Sequence, residues 1–157
     1  MSRRPPPDGR IDRRTALALA AGGTAVMILP GAAQAREPLA AAMRSFASDA
    51  PIQSGRVRLQ VPPLVENGNA VGVTVWVESP MTAADHVRRI ALLNDKNPQP
   101  EVAVFHLGPR AGRAQVSTRI RLATTQTVAA IAELSDGSFW SAQADVIVTL
   151  AACIEEL

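Results

Sequence analysis

From residue 56 onward, apolar and polar side chains alternate with a period of two. In VGVTVWVES, Val71, Val73, Val75 and Val77 fall on one face, and Thr74, Trp76 and Glu78 fall on the other. The stretches EVAVFHL, RAQVSTRIRL, QTVAAIAELS and FWSAQADVIVTL repeat the pattern. In STRIRL, Arg119 and Arg121 alternate with Thr118, Ile120 and Leu122, which describes a half-buried strand with one wet face. Turn signals separate the runs: Glu66-Asn67-Gly68-Asn69, Ser79-Pro80, Asn94-Asp95-Lys96-Asn97-Pro98, Gly108-Pro109 and Asp136-Gly137-Ser138. The last is a hairpin turn, in which glycine supplies a positive φ. The expected strands are 56–61, 70–78, 86–93, 101–107, 114–122, 126–135 and 139–150. This spacing predicts an all-β fold, an immunoglobulin-like antiparallel β-sandwich of about seven strands. Residues 38–49, PLAAAMRSFASD, have a different period: Leu39, Met43 and Phe46 recur at helical spacing, predicting a short N-terminal amphipathic helix.

Charge divides the chain before the first predicted element. Residues 1–35 hold Arg3, Arg4, Arg10, Arg13 and Arg14 against Asp8 and Asp12, a balance of +3. Residues 36–157 carry 11 basic and 12 acidic side chains, so the overall +2 belongs to the N-terminus and nucleic acid is excluded as a partner. The N-terminal segment has a basic start, an uncharged apolar run and Ala33-Gln34-Ala35, the three parts of a secretory signal. Paired Arg13-Arg14 points to the twin-arginine route, although Asp12 and Ala16 depart from its usual residues. Thr15 to Ala35 is long enough for a membrane anchor, but Gly22, Gly23, Pro30 and Gly31 weaken that alternative. The expected organisation is a cleaved leader over 1–35, a sandwich domain over 36–150 and a C-terminal arm over 151–157. The mature protein then resides in the periplasm with no stable membrane insertion.

Export makes the cysteine count informative. Cys153 is the single cysteine of the chain, and an unpaired thiol in an exported protein is either a cross-linking or a reactive group. It follows the last predicted strand by three residues, on a tail that can carry it into another protein's pocket. Catalytic alternatives are thin: the chain has no tyrosine, no glycine-rich phosphate loop, and only His86 and His106 as histidines. Both histidines lie in strand patterns, so a Cys–His nucleophilic pair or a metal site with Cys153 has little support. No metal or other cofactor is expected. Glu155 and Glu156 would oppose a thiolate by like-charge repulsion, so activation is expected to come from a partner's site.

The segments VPPLVENGNAVGVTVWVESP, NPQPEVAVFHLGPRAG, STRIRLATTQTVAAIAELSDGSFW and VTLAACIEEL together resemble SoxY, the carrier subunit of the periplasmic sulfur-oxidation (Sox) system. The resemblance spans about residues 38–153 and the exported leader. Its specific elements are P-x-x-x-E-N-G-N, the TRI-R-L-A-T-T-Q block and the single arm cysteine. It implies an immunoglobulin-like sandwich, a SoxZ-like subunit as heterodimer partner, and Cys153 as the covalent attachment residue for sulfur intermediates. Separate periplasmic sulfur-oxidation enzymes would load and process the arm, and the carrier itself would not be an enzyme. The arm departs from the family's Gly-Gly-Cys-Gly-Gly. Here Ala151 and Ala152 precede the cysteine and Ile154, Glu155 and Glu156 follow it, resembling the SoxY-related group with an AACIE arm. This tip is bulkier, stiffer and anionic, which disfavours an anionic thiosulfate-derived cargo. Three functions therefore stand: a thiol carrier, a non-enzymatic binding or assembly subunit whose arm docks without cargo, and, least supported, a small enzyme.

Overall fold

The computed structural model describes residues 38–150. Helix α1 spans Leu39–Phe46, followed by nine strands: β1 (Ile52–Ser54), β2 (Val57–Gln60), β3 (Leu64–Asn67), β4 (Val71–Val77), β5 (Val87–Asn94), β6 (Glu101–His106), β7 (Gln115–Ile120), β8 (Gln126–Leu134) and β9 (Phe139–Leu150). All seven expected strands form within a few residues of their expected limits. The leader and the arm lie outside the described residues. Among the described residues no helix is long and apolar enough to cross a membrane.

Two sheets pack face to face as an immunoglobulin-like sandwich. The smaller has the order β2-β4-β7, antiparallel throughout. The larger runs β1-β9-β8-β5-β6, with β3 also paired to β9. Its β9-β8-β5-β6 body is antiparallel, while β1 and β3 join the two ends of β9 in parallel. These two strands are additions to the expected set. At three and four residues they are too short to show an alternation.

The alternation of β4 translates directly into packing: Val71, Val73, Val75 and Val77 are buried against Ile90, Leu92, Val128, Ala130 and Val146 of the larger sheet. In β5 and β8 both faces are covered. Ala91, Leu93, Ala129 and Ile131, on the far side, are covered by Leu39, Ala42 and Met43 of α1. A strand covered on both faces reads as a continuous apolar run, and ALL and VAAIA are such runs. The helix ends with Ser48 and Asp49 at positive φ, and the Asp49 N–H donates to the Arg44 carbonyl at 2.9 Å, closing the last turn.

Candidate functional site at the root of the arm

Strand β9 is the longest strand, and its pairing with β8 ends at Val146. Beyond that point its last four residues need other partners, and two loops supply them. The P-x-x-x-E-N-G-N segment provides one side. The Ile147 N–H donates to the Pro63 carbonyl at 2.9 Å, β3 pairs in register from Leu64 opposite Ile147 to Asn67 opposite Leu150, and the Thr149 hydroxyl donates to the Glu66 carbonyl at 3.2 Å. The Gly68 N–H then donates to the carbonyl of Leu150 at 3.1 Å.

The A-T-T-Q block provides the other side. The Thr125 hydroxyl oxygen accepts the Val148 N–H at 3.0 Å, so a side chain replaces the strand neighbour that β8 no longer supplies. The two loops are also joined to each other, because the Leu122 N–H donates to the Gly68 carbonyl at 2.8 Å. Gly68 thus links the last residue before the arm to the segment just beyond β7, the strand that carries Arg119.

A third loop holds the A-T-T-Q block. The Asn97 side chain donates to the Arg121 carbonyl at 2.8 Å and accepts from the Ala123 N–H and the Gln126 amide, each at 2.9 Å. Gln126 is buried and accepts the Lys96 N–H at 2.8 Å. Asn94 accepts the Asn97 N–H at 3.2 Å, while its buried amide nitrogen has no partner among the described residues. Amide side chains with donors and acceptors on one planar group suit this work, since each satisfies several backbone groups that no sheet pairs. The sequence marked these positions only as a turn and a motif; nothing in periodicity assigned them to the arm.

Cys153, Ala151, Ala152, Ile154, Glu155 and Glu156 lie outside the described residues. The root from which they extend is within them. His86 and His106 share a shallow cleft of about 420 Å³ with Arg88, Arg89 and Glu133. Arg88 and Arg89 both form ion pairs with the largely buried Glu133. Glu133 pairs with Phe139, at the start of β9, so roughly 35 Å of strand separates this cleft from Leu150. Three extended residues span at most about 10 Å, so the reach from Leu150 to position 153 falls well short of that separation. Among the described residues no group of three or more His, Cys, Asp or Glu could hold a metal ion.

The family of the sulfur oxidation protein SoxY matches residues 42–153, an interval that ends on the arm cysteine. The sulfur carrier protein SoxY from Chlorobium limicola f thiosulfatophilum is similar in structure, with a TM-score of 0.60 and 29% identity over 71% of this chain and 96% of that one. A superoxide reductase (neelaredoxin) from Ignicoccus hospitalis, variant T24K, has a TM-score of 0.56 at 18% identity, covering 62% of this chain and 94% of that one. The superoxide reductase from Nanoarchaeum equitans has a TM-score of 0.52 at 11% identity, covering 61% of this chain and 100% of that one. At such identities the last two share the sandwich fold and nothing more. No curated protein matches the chain.

Proposed function

We propose, from the premise that this chain belongs to the SoxY family of sulfur oxidation proteins, that it is a periplasmic carrier which holds a sulfur-containing group covalently on Cys153. Like the family it belongs to, it is not an enzyme. It presents its cargo to enzymes that load and process it, and works with a SoxZ-like second subunit. The observation that supports this best is the construction of the root. The two sequence segments most specific to the family converge on the last four residues of β9, fixing the chain as far as the Leu150 carbonyl. A thiol three residues beyond a fixed point has a defined reach.

A second reading has one feature in its favour. Glu155 and Glu156 oppose an anionic adduct, which suits an arm that docks into a partner without cargo. Intact mass of the protein purified from the periplasm separates the two. The carrier reading expects a reductant-labile mass increase that disappears in Cys153→Ser, together with loss of growth on the sulfur compound. An unmodified thiol during substrate feeding, or undiminished growth of the serine variant, would remove it in favour of the docking subunit. The same sample tests export, because the mature chain should begin at Arg36.

A further inference from the structure

A bulge in β5 places two arginines where a regular strand would place one. Val87 lies opposite Leu134 of β8 and Arg89 opposite Glu133, so Arg88 is an extra residue. Such a bulge sets two residues against one and re-aims a side chain. Both guanidinium groups reach the same carboxylate, Arg89 through Nε at 2.5 Å and Arg88 through Nη1 at 3.4 Å. The Glu133 side chain is 12% exposed and that of Arg88 is 57% exposed. Glu133 is thus the floor, and Arg88 the open wall, of the cleft they share with His86 and His106. Arg89 also lies over the Phe46 ring of α1, 4.6 Å from its centroid. These contacts restrain the cations before any ligand arrives, which lowers the side-chain freedom lost on binding.

The two histidines flank this pair. Arg89 is the register partner of His106 of β6 as well as of Glu133, so the three side chains share one face of the sheet. His86 is held by Ser135: its N–H donates to the Ser135 hydroxyl at 3.1 Å, and its carbonyl accepts the Ser135 N–H at 2.8 Å. Its ring Nδ1 lies 3.1 Å from the Thr82 carbonyl, which can only accept, so Nδ1 carries a proton and Nε2 is left for another partner. Charge in the cleft does not balance, because two arginines face one carboxylate and each imidazolium adds to the surplus. We propose that the cleft binds a fully ionised tetrahedral oxyanion of the sulfate class, held by the Arg88 guanidinium and the protonated rings of His86 and His106. With both rings protonated and Glu133 engaged by the arginines, the cleft offers donors only. Sulfate, which only accepts, suits such a lining better than phosphate, whose protonated oxygen needs an acceptor. The site is built from β5, β6 and β8, at the end of the sheet away from Leu150. The inference goes beyond the carrier reading and uses no residue of the arm.

The test titrates sodium sulfate, and separately sodium phosphate, into the full chain with whatever subunit accompanies it, at constant ionic strength in chloride and about pH 6. Binding is followed by the imidazole resonances of His86 and His106 and by melting temperature, which a ligand of the folded state raises. Sulfate should move both ring signals and bind several-fold more tightly than phosphate. Arg88→Gln alters an exposed side chain and leaves the Arg89–Glu133 pair in place, and should weaken sulfate binding about tenfold. Arg58→Gln removes the same charge from the smaller sheet and should leave the affinity as in the parent. Ring signals that sulfate does not move would overturn the proposal. Equal weakening by both substitutions would do so too, because it would reduce the effect to net charge. Phosphate binding as tightly as sulfate would refute the assigned class. Sulfate binding to the chain stripped of its second subunit, but not to the complex, would also refute it and give the cleft to an acidic residue of that subunit.

Discussion

At the scale of single residues, Thr125 shows how a side chain extends a sheet. Its hydroxyl accepts the Val148 N–H at 3.0 Å and donates to the Val148 carbonyl at 3.4 Å, supplying both groups that a neighbouring strand would. Replacing Thr125 by Val preserves shape and β-branching while leaving two backbone groups without this partner. The expected cost is about 1 kcal/mol, seen as a lower melting temperature. Amide exchange should accelerate at Val148 and not in the centre of β8. If the change is uniform along β9, the hydroxyl is not what holds the arm's root. Thr125 was visible in the sequence only as part of a family block, because a hydroxyl facing a strand end has no periodic signature. Cys153, in contrast, stood out by being the only cysteine.

Elements formed where alternation and turn chemistry agreed, and the β8–β9 hairpin is the clearest case. Gly137 sits at φ +82°, the Asp136 carboxylate accepts the Ser138 N–H at 2.8 Å, and the Leu134 N–H donates to the Ser138 carbonyl at 3.0 Å. A side chain at Gly137 would be strained whatever room surrounds it, so Gly137→Ala should cost about 1 kcal/mol, measured by chemical denaturation. The hydrogen bond from the Ser138 side chain, and then that from its backbone N–H, hold the Asp136 carboxyl below its ordinary range. A group whose pKa is lowered on folding stabilises above its unfolded value and loses that contribution as pH falls through the folded one. Asp136→Asn should therefore flatten the fall in melting temperature below about pH 4, and an unchanged acid limb would show that the turn is held by its backbone alone. Where two signals competed, the sequence was less legible. The apolar runs in β5 and β8 fit a strand buried on both faces, but the reason for that burial is α1, which lies far away in sequence. β1 and β3 escaped notice because three or four residues cannot display a period, and their place is set by β9.

For the molecule as a whole, the sandwich leaves edges, and the edges are not equally guarded. On the smaller sheet, edge strand β2 carries Arg58 and Gln60, and edge strand β7 carries Arg119 with Arg121 just beyond it. Charges at such positions discourage pairing with a stray strand. Edge strand β6 of the larger sheet has Val102, Ala103, Val104 and Phe105 in sequence, all half-buried, with Glu101 and His106 only at its ends. Among the described residues no strand pairs with its outer side. Four consecutive apolar residues on an open edge invite either aggregation or a dedicated partner. In the proposed heterodimer the second subunit would be that partner, and β6 is the edge it should cover. In the purified complex, amide exchange across Val102–Phe105 should be markedly slower than in the chain stripped of its partner, while β7 should exchange alike in both. Placing a lysine at Val104, at the middle of β6, should weaken co-elution about tenfold or more. Protection gained at β7 instead would move the subunit to the basic edge, where Arg119 and Arg121 would have to meet acidic residues. The site and the interface then lie apart on one body: β6 is separated from β9 by β5 and β8. A subunit bound along β6 would leave the end of β9 uncovered, so under the proposed function a carrier could meet one enzyme after another without the heterodimer coming apart.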